Sequence, residues 1–214
     1  MLKEDKYVKT IEKQITFNYV CYTPEDYDGS KPYPLVVFLH GAGERGDDIS
    51  LLYKHGFLKH VKEGKNYPFI IVAPQCPFEK YWGNYTESLN VFLDSIIEEY
   101  NVDVDRIYLT GLSMGGTGTW HWLLASPERF AAGVPICGTG VYWNAYKVRT
   151  LPLWVFHGNK DTIVPIRESE AMVESLNNID GNVKFTVLDG VGHNAWEYAY
   201  NDELVEWLLQ QKRK

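Results

Sequence analysis

The sequence predicts an α/β protein built on a mostly parallel, doubly wound sheet with helices on both faces. Three observations carry that expectation. Short β-branched apolar runs alternate with longer segments of helical periodicity along the chain. Several of those runs are apolar throughout, as strands covered on both faces must be. The 214 residues suffice for one such unit with a large buried core, and no repeat or Pro/Gly/Ser-rich linker divides them, so 1–214 reads as a single domain.

Taken in order, the predicted strands are Ile15–Tyr22, Leu35–Leu39, Phe69–Ala73, Ile107–Thr110, Ala132–Ile136, Leu153–Phe156 and Val183–Leu188. Between them, Thr86–Tyr100 sets Leu89, Phe92, Leu93, Ile96 and Ile97 on one helical stripe. Helices are also expected over Ser113–Ala125, Ile166–Asn177 and Ala195–Gln211. In sheets of this kind ligands meet the carboxyl ends of the strands, so the residues to read are those directly after each run.

Composition narrows the partners. A net charge of −7 disfavours nucleic acid and anionic membrane. No apolar run approaches the roughly 20 residues that a spanning helix needs. The polar stretch Met1–Thr10 has no leader-like apolar segment, which points to a cytoplasmic protein, or to a secreted one whose leader has been removed. Cys21, Cys76 and Cys137 are odd in number and form no C-x-x-C pair, so free, mostly buried thiols are expected instead of disulfides or a thiolate zinc site.

The chemistry sits at the strand ends. After Ile107–Thr110 comes Gly111-Leu112-Ser113-Met114-Gly115, a G-x-S-x-G between a strand and a helix. So tight a turn strains Ser113 and leaves no room for Cβ atoms beside it. It presents a hydroxyl at a helix amino end, where developing negative charge is favoured. A serine that merely caps the helix would fit the motif alone.

Two later strand ends supply partners. Leu153–Phe156 leads to Asp161, and Val183–Leu188 leads to His193 on a glycine-rich loop. The order Ser113, Asp161, His193 matches a Ser…Asp…His triad. Asp189 competes with Asp161 for the acid, although it reads more naturally as a turn former before Gly190. The loop His40-Gly41-Ala42-Gly43 after Leu35–Leu39 suits an oxyanion hole made of the backbone N–H groups of Ala42 and Met114.

The remaining histidines read as structural. His40 and His157 precede glycines at strand ends and would brace loops, while His55 and His60 look surface exposed. His121, two turns beyond Ser113, reads as a satisfied helix histidine. No zinc pair, P-loop or dinucleotide fingerprint occurs, and neither metal nor cofactor is called for.

With these residues in hand, the chain resembles the small carboxylesterases of the α/β-hydrolase superfamily. The nearest branches are the phospholipase/carboxylesterase one and the polyhydroxybutyrate-depolymerase-like, feruloyl-esterase-like one, often described as predicted peptidases. The stretches that carry the likeness are Leu39–Asp48, Ala73–Pro77, Arg106–Trp120, Arg129–Gly138, Val155–Pro165 and Gly192–Trp196. The elbow carries Ser113, unlike the dienelactone-hydrolase branch with its cysteine. The resemblance implies the α/β-hydrolase fold, Ser113, Asp161 and His193 as triad, and Ala42 and Met114 as oxyanion amides.

The expected substrate is a small soluble ester, short-chain acyl or aryl, feruloyl and sugar-linked esters included. Only Cys137–Pro152 separates the two strands between which lidded members of this fold insert a cap, so no large cap domain is expected. Aromatics crowd the loops at Tyr81, Trp82, Tyr85, Tyr142, Trp143 and Trp196, and Trp82 and Trp196 are the substrate-binding candidates among them. Glu44 and Arg45 stand where they would contact substrate or brace their loop. A prolyl-oligopeptidase-like peptidase would need a gating domain that does not fit, and a non-catalytic receptor would tend to have lost a triad member. A homodimer stays open.

Overall fold

The computed structural model describes residues 2–213. Among the described residues seven strands form one sheet: β1 (Tyr19–Tyr22), β2 (Tyr33–Leu39), β3 (Ile70–Pro74), β4 (Val102–Leu112), β5 (Ala132–Ile136), β6 (Leu153–Gly158) and β7 (Val183–Leu188). Their order is β1-β3-β2-β4-β5-β6-β7, with β1 antiparallel and the rest parallel.

The alternation of side chains along β2 shows how the layers form. Leu35, Val37 and Leu39 face α2 (Thr86–Glu99), α3 (Met114–Ala125) and α4 (Arg167–Asn177), whose Leu93, Leu123 and Met172 share that core. Val36 and Phe38 face α1 (Gly56–Lys62), α5 (Trp196–Ala199) and α6 (Asp202–Gln210), through Phe57, Ala199 and Leu204. Each large side chain fully buried this way contributes about 1.5–3 kcal/mol. The sheet is thus covered on both faces, which is why its strands are apolar throughout.

The differences from expectation have local causes. Strand β1 begins at Tyr19, because Tyr19 is already opposite Pro74, the last residue of β3. Before it, Phe17 packs its ring edgewise on Tyr85 and Phe92. Strand β4 starts five residues earlier than predicted, through a register shift opposite Tyr33–Leu35 that accommodates the charged Asp103, Asp105 and Arg106. The last expected helix is two, α5 and α6, because the Asn201 side chain accepts from Leu204 N–H and caps a new start. Helix α1 was not expected at all. Its stretch is rich in Lys and Gly, yet Phe57 and Leu58 are fully buried.

Between β5 and β6 the chain makes only a 3₁₀ turn at Tyr142–Val148, and among the described residues no large cap covers the carboxyl edge of the sheet. No helix among the described residues is long and apolar enough to cross a membrane.

Candidate active site

Ser113 joins β4 to α3 with φ +54° and ψ −117°, a conformation that costs a non-glycine residue about 1–3 kcal/mol. The surroundings hold it there. Its N–H donates to Ile136 O at 2.9 Å, and its carbonyl accepts from Thr117 N–H at 3.0 Å. Glycines allow the approach: a Cβ on Gly115 would lie 1.9 Å from Leu39 O, and one on Gly111 would lie 2.4 Å from Gly115 O. The first turn of α3 therefore rests directly on the end of β2.

Asp161 follows β6 in a tight turn. Its Oδ1 accepts the N–H groups of Ile163 and Val164, both at 2.9 Å, which leaves Oδ2 aimed at His193 Nδ1, 2.7 Å away. Burial alone would raise this carboxyl's pKa, but the hydrogen bonds from His193, Val164 and Ile163 outweigh it and hold the group below its ordinary value. Beside it, the buried His157 places Nε2 at 3.3 Å from Oδ2, and also bonds Val164 O and the Ser169 hydroxyl.

His193 lies on the loop between β7 and α5. That loop is drawn onto β6, where a Cβ on Gly158 would meet Val191 O at 2.3 Å, and Lys160 N–H donates to Val191 O. On its other side His193 Nε2 is 2.7 Å from Ser113 Oγ. An ionised carboxylate only accepts, so Nδ1 carries the proton and Nε2 offers its lone pair to the serine hydroxyl. The structure thus brings Ser113, His193 and Asp161 into one hydrogen-bonded chain. Asp189 is outside it, accepting from Asn159 Nδ2 at the turn before Gly190.

Ala42 opens a short 3₁₀ turn after β2, and Met114 opens α3 after the neighbouring β4. Both N–H groups lie at helix starts, where no acceptor exists within the element. His40 fixes the loop between them. Its Nδ1–H donates to Gly41 O at 2.6 Å, Nε2 accepts from Cys76 N–H at 2.9 Å, and burial pushes its pKa down to about 4.

Beside Ser113 opens a cavity of about 590 Å³, walled by Tyr81, Trp82, Asn84, Met114, His121 and Val164. Trp82 lines it; the other two substrate-binding candidates do not. Trp196 sits behind His193, edge-on to its ring at 5.4 Å and tilted against His55, in a second cavity of about 240 Å³. Glu44 is buried, with Oε1 at 3.8 Å from His55 Nε2. Of these two residues, Arg45 braces the loop: its guanidinium bonds Ala42 O and Lys80 O and lies over the Tyr81 ring.

Other readings also shift. His55 and His60 are half-buried, His60 bonding the Tyr67 hydroxyl. Tyr142 and Trp143 are exposed and outside the 590 Å³ cavity, and Tyr85 packs on Phe17. His121, expected to be satisfied within its helix, lines the cavity instead. The signal was present in its spacing, since Ser113, Thr117 and His121 recur every four residues on one helix face.

Donor atoms of Cys137, Asp161 and His193 lie within 4.8 Å of one another. Two of these groups already hydrogen-bond each other. Burial, opposed only in part by the Ser113 N–H, pushes the Cys137 thiol far above its ordinary pKa, and the thiol donates to His193 O at 3.5 Å.

A profile of the phospholipase/carboxylesterase family matches residues 78–203. The chain is 30% identical over 147 residues to the bifunctional acetylxylan esterase/xylanase XynS20E of Neocallimastix patriciarum, covering 66% of this chain and 21% of that protein. It is 28% identical over 156 residues to a probable feruloyl esterase C of Aspergillus terreus, covering 69% of this chain and 56% of the relative. The crystal structure of a thermostable esterase superposes with a TM-score of 0.80 at 35% identity, over 91% of this chain and 59% of that one. The chain therefore spans about a fifth to three-fifths of these proteins. With the profile covering more than half of its residues, the chain belongs to the phospholipase/carboxylesterase family of α/β-hydrolases.

Proposed function

We propose that the protein is a serine carboxylesterase that hydrolyses small soluble esters through an acyl-enzyme intermediate. The observation that carries this is the chain from Ser113 Oγ to His193 Nε2 to Asp161 Oδ2, with both links at 2.7 Å. His193 takes the Ser113 proton as the hydroxyl attacks the ester carbonyl, and Asp161 stabilises the imidazolium that results. The N–H groups of Ala42 and Met114 receive the oxyanion, each donor contributing on the order of 10²–10³ in rate. His193 then gives its proton to the leaving alcohol, and water repeats the sequence on the acyl-enzyme.

The short Cys137–Pro152 connection leaves the cleft without a large apolar lid, which favours short or aryl acyl groups over long-chain fats. Turnover on p-nitrophenyl esters of increasing acyl length, beside methyl ferulate and a prolyl amide, tests the reading. Activity should fall steeply beyond short acyl chains and drop by several orders of magnitude in Ser113→Ala. Near-normal turnover by that variant, or selective amide cleavage, would overturn it.

A further inference from the structure

The cavity beside Ser113 contains a titratable group for which ester cleavage itself has no use. His121 lies two turns along α3 from Ser113, about 12 Å down the helix axis, and on the same face. Its imidazole is half-buried in the cavity wall, which Asn84 and Tyr81 also line. Gly83 is packed so closely that a Cβ there would come within 2.7 Å of its Nδ1. Among the described residues no group hydrogen-bonds this ring, and burial alone holds its pKa below the ordinary value. At neutral pH it is therefore an uncharged imidazole with one N–H to give and one bare nitrogen to accept.

The rest of the wall says what such a ring would meet. Among the described residues no Lys or Arg lines the cavity, so an anionic substituent would find no counter-charge in its wall. Trp82, Met114 and Val164 offer apolar walls suited to a flat ring. A hydroxyl both donates and accepts, which matches what a neutral imidazole offers. Resting on the esterase reading above, we propose that His121 is a specificity-determining residue that reads a hydroxyl at the far end of a ring-bearing group seated in this cavity.

The test uses two matched ester pairs. One carries the hydroxyl on the acyl side, methyl para-hydroxyphenylpropanoate against methyl phenylpropanoate. The other carries it on the alcohol side, para-hydroxyphenethyl acetate against phenethyl acetate. In one pair the wild type should favour the hydroxylated member in kcat/KM by about tenfold, the worth of one net hydrogen bond. His121→Leu should bring that ratio close to one, and His121→Gln should keep part of it, because its amide both donates and accepts. The ratio does not depend on how much of each variant is folded. No hydroxyl preference in either pair, or an unchanged preference in His121→Leu, would overturn the inference. Failure of the wild type on all four esters and on p-nitrophenyl acetate would instead sink the esterase reading.

Discussion

The indole N–H of Trp82 donates to the carbonyl oxygen of His40 at 3.0 Å, and the two rings meet edge to face at 5.0 Å. This contact ties a wall of the cavity to the loop that carries the Ala42 amide. The His40 imidazole depends in turn on being neutral, since one nitrogen donates to Gly41 O and the other accepts from Cys76 N–H.

That neutrality makes stability depend on pH. Burial holds His40 at about 4 in the folded chain, against about 6.5 unfolded. On acidification the unfolded chain takes up the proton first, so the contribution is complete above pH 6.5 and is lost as pH falls toward 4. From this group alone, unfolding free energy should drop by about 2 kcal/mol between pH 7.5 and pH 5. His60 and His121 are shifted the same way and add to the slope. Urea denaturation at the two pH values should therefore show a smaller drop in His40→Gln than in the wild type. Equal drops would contradict the assignment.

Close backbone contact at the serine turn yields a second prediction. Gly115→Ala places a methyl group 1.9 Å from Leu39 O, a backbone atom inside the sheet that has nowhere to go. The variant should lose at least 1–3 kcal/mol, as over-packed sites do, and unfold at a visibly lower temperature. Gly43→Ala, which meets nothing within 4 Å, is the control and should melt within a degree or two of the wild type. Similar melting of the two would mean that α3 does not sit on β2 as described.

The three thiols should be slow toward aromatic disulfide reagents in the native state. Burial raises all three pKa values, Cys76 to about 11, and Cys76 and Cys137 have no exposed surface. At pH 7.5 the half-buried Cys21 should react first, and the full three equivalents should appear only in denaturant. A single fast-reacting thiol matching Cys137 would show that the floor beneath His193 opens.

The legible parts of this molecule were those whose physics is local. Five-residue runs such as Phe69–Ala73 lack polar residues because both faces are covered, so strand existence and the doubly wound class could be read directly. Ser113, Asp161 and His193 were nameable because each lies on the connection that leaves a strand's carboxyl end, which must face the ligand side. What could not be read was side-chain direction across loops. Trp196 and Glu44 sit near the site in sequence terms, but Trp196 turns behind His193 and Glu44 turns inward toward His55. Helix α1 was hidden because only Phe57 and Leu58 carry its burial, and the start of β4 because its first turn of chain is charged.

The hydrogen-bond pattern at Asp161 predicts an outcome for Asp161→Asn that a simple loss of charge would not. Oδ1 already accepts two backbone N–H groups, from Ile163 and Val164. An asparagine there keeps its carbonyl oxygen in that position and turns its amide NH₂ toward His193 Nδ1. Two donors cannot face each other, so Nδ1 must give up its proton and Nε2 must carry it. Nε2 then has no lone pair for the Ser113 hydroxyl, and the general base is lost with the ring still in place. The variant should fold normally and bind substrate with little change in KM, while kcat on p-nitrophenyl acetate falls by about 10³–10⁴. At high pH the histidine cannot recover, because its proton sits on the wrong nitrogen. Raising the pH should therefore fail to restore the rate by general-base catalysis. Full recovery at alkaline pH would mean that Asp161 does not fix which nitrogen of His193 holds the proton.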